Sequence, residues 1–134
     1  VSNVVRKLVL LAAFGALGTL ARAGLTELVR GPLGAPAAWA TVTVNLLGCF
    51  LFGFVWALTQ AESPHVQELR LFALVGFMGA FTTFSSYVFD LWKLASAGRP
   101  ELAFANLLLQ NAVGFAALFA GLRAAVALGL GRAP

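Results

Sequence analysis

The chain has 134 residues, 60% of them hydrophobic and 10% charged, with a mean hydropathy of +0.91 and a net charge of +4. Soluble domains carry about 25% charged residues, so this composition excludes an ordinary soluble protein and predicts an integral membrane one. The basic residues are scattered and not gathered on one face, which excludes a nucleic-acid surface and makes them interfacial anchors and topology determinants.

A membrane helix needs ~20 mostly apolar residues to cross a hydrocarbon core of about 30 Å. Four runs meet that need and use nearly the whole length, so residues 1–134 read as a single integral membrane domain. The expected fold class is an all-α, four-span helix bundle.

The first run covers residues 4–29. It is too long for a cleavable signal peptide, and further runs follow it. Within it lies Arg22. A charge inside a span is expensive and by default functional, although its stem could also snorkel to the interface. Gly15 and Gly18 precede it at a spacing that suits close helix packing. Gly31, Pro32, Gly34 and Pro36 then break the helix.

The second run covers residues 37–59 and carries Thr41, Thr43, Asn45 and Gly48. Thr41 and Asn45 are four apart and share a face. An Asn amide in hydrocarbon must find partners, either across helices or along an ion path. Gly48 and Gly53 again allow close packing. Residues 60–65 read as a polar loop that holds His65, the only histidine, as a solvated side chain. The single cysteine, Cys49, excludes an intramolecular disulfide and a multi-cysteine metal site.

The third run covers residues 69–94 and is the most irregular. Gly76 and Gly79 weaken the helix where it should be most regular. Thr82, Thr83, Ser85 and Ser86 then place hydroxyls around Phe84 and Tyr87, which share a face. Irregular backbone at membrane depth survives only where protein buries it or it lines a wet cavity. A break near Gly79 would free carbonyls, and carbonyls with a Thr hydroxyl suit a hard cation. Ring edges are positive and could face an anion; plain packing is the competing reading.

The fourth run covers residues 101–128, with Asn106, Gln110 and Asn111. Asn106 and Gln110 share a face. Gln110 and Asn111 are too close in sequence for both to face one groove. Four spans put both termini on one side, with Arg6, Lys7, Arg70, Arg123 and Arg132 there. Arg30, Lys93 and Arg99 fall on the other side, and Arg22 belongs to neither. Five against three is a weak bias. It is compatible with insertion in both orientations. Four helices also make a thin bundle with little interior, which favours an oligomer.

No carboxylate is expected at the centre of a span: Glu62 and Glu68 fall in a loop, and Asp90 and Glu101 near helix ends. Proton-coupled transporters usually need such a group. The sequence also lacks a Ser/His/Asp or Cys/His arrangement and a phosphate-cradling glycine loop. An enzyme is therefore not expected. Two alternatives remain in view. A small dual-topology multidrug or cation exporter would want a carboxylate in the first span, where this chain has Arg22. A non-transporting membrane assembly subunit would use the polar stripes only for packing.

Taken together, the motifs resemble the Fluc (CrcB-like) family of fluoride ion channels. Gly15-x-x-Gly18-x-x-x-Arg22 is similar to the family's first-helix signature, and Thr41-x-x-x-Asn45-x-x-Gly48-x-Phe50-x-x-Gly53 to its second. The stretch from Gly76 through Gly79, Thr82, Thr83 and Phe84 to Ser86 resembles the third, which is the most specific. The resemblance implies a multi-pass protein of a bacterial-type plasma membrane that passively exports fluoride. It implies an antiparallel, dual-topology homodimer with two pores. It also implies a structural sodium ion between broken third helices, with Gly79 and Thr82 at the matching positions. The family's pore aromatics match Phe84 and Tyr87, its pore asparagine Asn45, a polar-track hydroxyl Thr41, and its first-helix arginine Arg22. Ser85 belongs to the third motif and is expected at the pore. Asn106 and Gln110 are expected there from helical facing alone. Tyr87 stands where the family usually has Phe, and Ala80 where a second Gly is frequent.

Overall fold

The computed structural model describes residues 2–131. Arg132 and the tail 132–134, counted above with the terminal side, lie outside them. The described residues form four helical spans long and apolar enough to cross a membrane: Asn3–Arg30, Ala37–Leu58, Pro64–Ser96 and Pro100–Ala127. We call the first two α1 and α2. The third span is two helical pieces, α3 (residues 64–81) and α4 (Phe84–Ser96), and the fourth is α5.

Local chemistry sets the ends. Ser2 caps α1 by accepting the Val5 amide at 3.4 Å. Gly34 (φ +61°) and Gly98 (φ +72°) adopt the left-handed backbone that the short connections require. The third span starts at Pro64, earlier than the apolar run predicts. Pro64 follows Ser63 at the first helical position, where a missing N–H costs nothing. His65 and Glu68 therefore sit on a helix and not in the expected loop.

Polar contacts fix how the spans alternate. Glu68 pairs with Arg6 at 2.7 Å and with Lys7 at 3.7 Å, joining the starts of α1 and α3. Arg70 donates to the Thr59 hydroxyl at 3.2 Å, just past the end of α2. Gly131 lies against the backbone of Ala57. So the starts of α1 and α3 and the ends of α2 and α5 share one side, as an up-and-down bundle demands.

Small residues set the packing. In lipid, helices associate through close van der Waals fit and not through a hydrophobic drive. Gly18 of α1 lies on the Phe77 carbonyl of α3. Gly53 of α2 lies on the Leu118 carbonyl of α5, and Gly121 of α5 on the Phe50 carbonyl of α2. A compact core of Val44, Leu74, Met78 and Phe81 joins α2 to α3. Much of the rest is apolar surface turned outward; α1 buries Gly18 and Val29.

Within the described residues of the four spans, three stretches depart from regular α-helix. Leu71–Met78 and Leu109–Val113 are wide π-helical turns. Between α3 and α4 the backbone is extended, with Thr82 at φ −82°, ψ 163° and Thr83 at φ −150°, ψ 113°. The irregularity does not fall at Gly79, which is helical with φ −60° and ψ −32°. Threonine is β-branched and accepts extended backbone readily, and a side chain of α2 holds it there.

Candidate functional site

That side chain is Asn45. Its Oδ1 accepts the Thr83 amide at 2.9 Å, and its Nδ2 donates to the Thr83 carbonyl at 3.2 Å. The amide thus takes the Thr83 N–H that a continuing helix would bond to Gly79, and it adds a bond to the Thr83 carbonyl, which as the N-cap of α4 also begins that helix. The second Nδ2 proton goes to Gln110 Oε1 of α5 at 2.7 Å. Gln110 in turn donates to Asn106 Oδ1 at 2.8 Å. Asn45 therefore ties α2, the extended residues and α5 into one polar knot.

Two clefts flank the knot, and Thr83 lines both. The first, of about 390 Å³, is lined by Asn45, Thr82, Phe84, Tyr87, Gln110 and Asn111 among others. Here Asn111 joins Gln110, against the expectation that adjacent residues could not share a groove. The cause is the wide turn at Leu109–Val113, which advances each residue by a smaller angle than an α-helix does. The Asn111 amide donates to the Tyr87 hydroxyl at 2.9 Å and to the Leu107 carbonyl at 2.8 Å. Phe84 and Tyr87 have ring centroids 5.8 Å apart and planes tilted by 54°.

The second cleft, of about 440 Å³, is lined by Arg22, Arg30, Thr41, Thr83, Asp90 and Lys93 among others. The Thr41 hydroxyl donates to Asp90 Oδ2 at 2.6 Å. Lys93 Nζ meets Asp90 Oδ1 at 2.6 Å.

The structure thus gathers Asn45, Phe84, Tyr87, Thr82 and Gln110 at the first cleft, and Arg22 and Thr41 at the second. Asn106 lies behind Gln110 and is buried; it lines a separate pocket with Trp39 and Leu94. Ser85 is exposed and sits 3.4 Å from the Thr83 hydroxyl. Thr82 turns its hydroxyl back to the Met78 carbonyl at 2.9 Å, and Gly79 is exposed one turn away. The sequence reading missed four contributors: Thr83, Asn111, Asp90 and Lys93. Asp90 is buried although it lies well inside α4. A lysine three residues on was the available signal that this carboxylate has a partner.

The donors available to a ligand follow by counting protons. Asn45 and Asn111 spend both amide protons on protein acceptors. Gln110 spends one on Asn106. The Tyr87 hydroxyl accepts from Asn111 and keeps its own proton for the cleft. Under the fluoride-channel resemblance, Tyr87→Phe should therefore weaken anion conduction about 3- to 10-fold, the scale of one lost hydrogen bond. Flux measured on reconstituted protein checks this, and an unchanged rate would exclude the hydroxyl from the path.

The family model described as "CrcB-like protein, Camphor Resistance (CrcB)" matches residues 9–122. A relative from Solidesulfovibrio magneticus, named "Fluoride-specific ion channel FluC", is 48% identical over 119 residues, covering 89% of this chain and 95% of its own. Relatives of the same name from Desulforapulum autotrophicum and Nitrosococcus oceani are 44% and 43% identical, each match covering 87% of this chain and 93% of the relative.

Proposed function

This chain belongs to the CrcB-like family, and from that premise we propose that it is a fluoride-selective channel. It gives passive fluoride export across the plasma membrane and is not an enzyme. The observation that carries this reading is the knot at Asn45. It lies in a chain with four membrane-crossing helices and relatives of that name. Fluoride is small and strongly hydrated, so a path for it must offer many donors in place of water. Amide, hydroxyl and ring-edge groups do so without titrating, and none binds so tightly that the ion cannot leave.

The path we infer runs from the cationic second cleft, past Thr83, to the first. Arg22 and Arg30 raise the local anion concentration at its mouth. Gln110 and Tyr87 offer the uncommitted protons, and the edges of Phe84 and Tyr87 face the ion as it leaves the amides. Asn45 sits between as the group that holds both walls in register. Ser85 borders the outer rim, and Asn106 orients the Gln110 amide from behind.

The working unit in this reading is an antiparallel, dual-topology homodimer. Two observations support it. Phe84 is 77% exposed on the single subunit, although aromatics of a pore need a second wall. The interruption at Thr82 and Thr83 is likewise half-open, and irregular backbone is not left facing lipid. A structural sodium ion fits the same place. The Thr83 amide, which a continuing helix would offer to the Gly79 carbonyl, goes to Asn45 instead. That carbonyl and the Thr82 oxygen, from each of two copies, form the all-oxygen set a hard cation takes. The cation would supply positive charge that holds inverted copies together.

The test is fluoride efflux from liposomes that contain the purified protein. We expect fluoride to leave far faster than chloride. Equal rates, or retained fluoride, would reject the reading and return the exporter and assembly-subunit alternatives.

A further inference from the structure

We propose that Lys93 is the counter-charge that makes the second cleft passable to anions. It cancels the carboxylate that Asp90 presents to that cleft. The inference rests on the channel reading above and adds a residue to it.

Asp90 is 5% exposed, and it lines the cleft that also holds Arg22 and Thr83. A buried carboxylate needs partners for both oxygens. Oδ2 takes the Thr41 hydroxyl proton at 2.6 Å, and Oδ1 takes Lys93 Nζ at 2.6 Å. The Thr41 bond anchors Asp90 to α2 but leaves its charge intact. Among the described residues, Lys93 is the one cation paired with it. Lys93 is held for this by its place one turn along α4, and its ammonium lies 5.0 Å from the centre of the Phe89 ring. The other charged groups lining this cleft are Arg22, Glu27 and Arg30. No direct bond links them to Asp90 among the described residues.

An anion that passes Thr83 must cross the field of Asp90. With Lys93 in place it meets a neutral pair. Without Lys93 it meets a like charge in a site of low dielectric, where repulsion is poorly screened. Thr41 then acts as a positioning residue. Its only proton is spent on Asp90, so it does not serve the anion directly.

A charge role and a merely structural tie predict different outcomes. We would measure fluoride efflux from liposomes for the unsubstituted protein, K93M, K93R and the double variant D90N/K93M. Lys93→Met should slow efflux at least ten-fold, and Lys93→Arg should keep most of it. The double variant lacks the ion pair yet should recover to within about three-fold of the starting rate, because the uncompensated charge is gone. Full efflux by K93M would overturn the proposal. So would a double variant as slow as K93M, which is the mark of a structural tie. Fluoride retention by the unsubstituted protein would reject the channel reading itself. Conduction by it, with unchanged K93M, rejects only the role of Lys93.

Discussion

Asn45→Asp is expected to abolish fluoride conduction, lowering efflux by at least ~100-fold. The substitution keeps shape and changes chemistry at two of the three contacts that Asn45 makes. Asn45 now donates to the Thr83 carbonyl at 3.2 Å and to Gln110 Oε1 at 2.7 Å. A carboxylate cannot donate, so each contact becomes a repulsion between oxygens. Leaving a buried polar group unpaired costs about 1–3 kcal/mol. The new charge also faces the anion: two like charges 4 Å apart at an effective dielectric of 20 repel by about 4 kcal/mol. Each 1.36 kcal/mol is a ten-fold rate change, so ~100-fold is the conservative figure. The accepting contact from the Thr83 amide at 2.9 Å survives, since an Asp oxygen takes it equally well. The extended residues should therefore stay anchored, and the variant should elute from a sizing column in detergent as the parent does. Efflux and elution are measured together. An Asn45→Asp protein that elutes normally and conducts at the parental rate would remove Asn45 from the path.

This site was only partly legible in the sequence. The spans were, because composition alone forces apolar runs into membrane helices. Arg22, Asn45, Thr41 and Gln110 stood out because polar groups in such runs demand a reason. The start of the third span was hidden by His65, Gln67, Glu68 and Arg70, whose polarity imitates a loop. The Ser63-Pro64 pair carried the correct signal, since proline is favoured in a first helical turn. Asn111 was misplaced for a different reason. A period of 3.6 residues sets facing in an α-helix, and the wide turn at Leu109–Val113 breaks that period. Periodicity arguments fail wherever the helix changes type, and a single sequence does not announce the change. The Asn45–Thr83 and Thr41–Asp90 bonds join residues 38 and 49 apart. Contacts of that separation depend on how α2 meets the third span. Local pattern cannot supply them.

How closely α2 meets α5 is fixed by glycine, and Gly121→Val should therefore be the most destabilising substitution in the bundle. A Cβ at position 121 would overlap the Phe50 carbonyl and come 2.9 Å from the Phe54 nitrogen. Both are backbone atoms and cannot rotate away, so the helices must part. Overpacking a well-filled interior costs about 1–3 kcal/mol and occasionally more, and contact with rigid backbone belongs at the upper end. Gly53 faces the Leu118 carbonyl across the same interface in the same way. The two sites share one adjustment, so Gly53→Val with Gly121→Val should cost less than the sum of the single variants. Gly24→Val is the control: nothing lies within 4 Å of a Cβ there, and it should melt as the parent does. Tryptophan fluorescence through a thermal melt in detergent reads the parent and all four variants. A parental melt for Gly121→Val would mean that the interface has room to spare. The functional consequence follows from position. Gly121 lies on α5 with Gln110 and Asn111, and Phe50 lies on α2 five residues beyond Asn45. Parting these helices pulls on the 2.7 Å bond between Asn45 and Gln110. Fluoride efflux should fall in step with the melt, because the glycine contact and the polar knot are two ends of one interface.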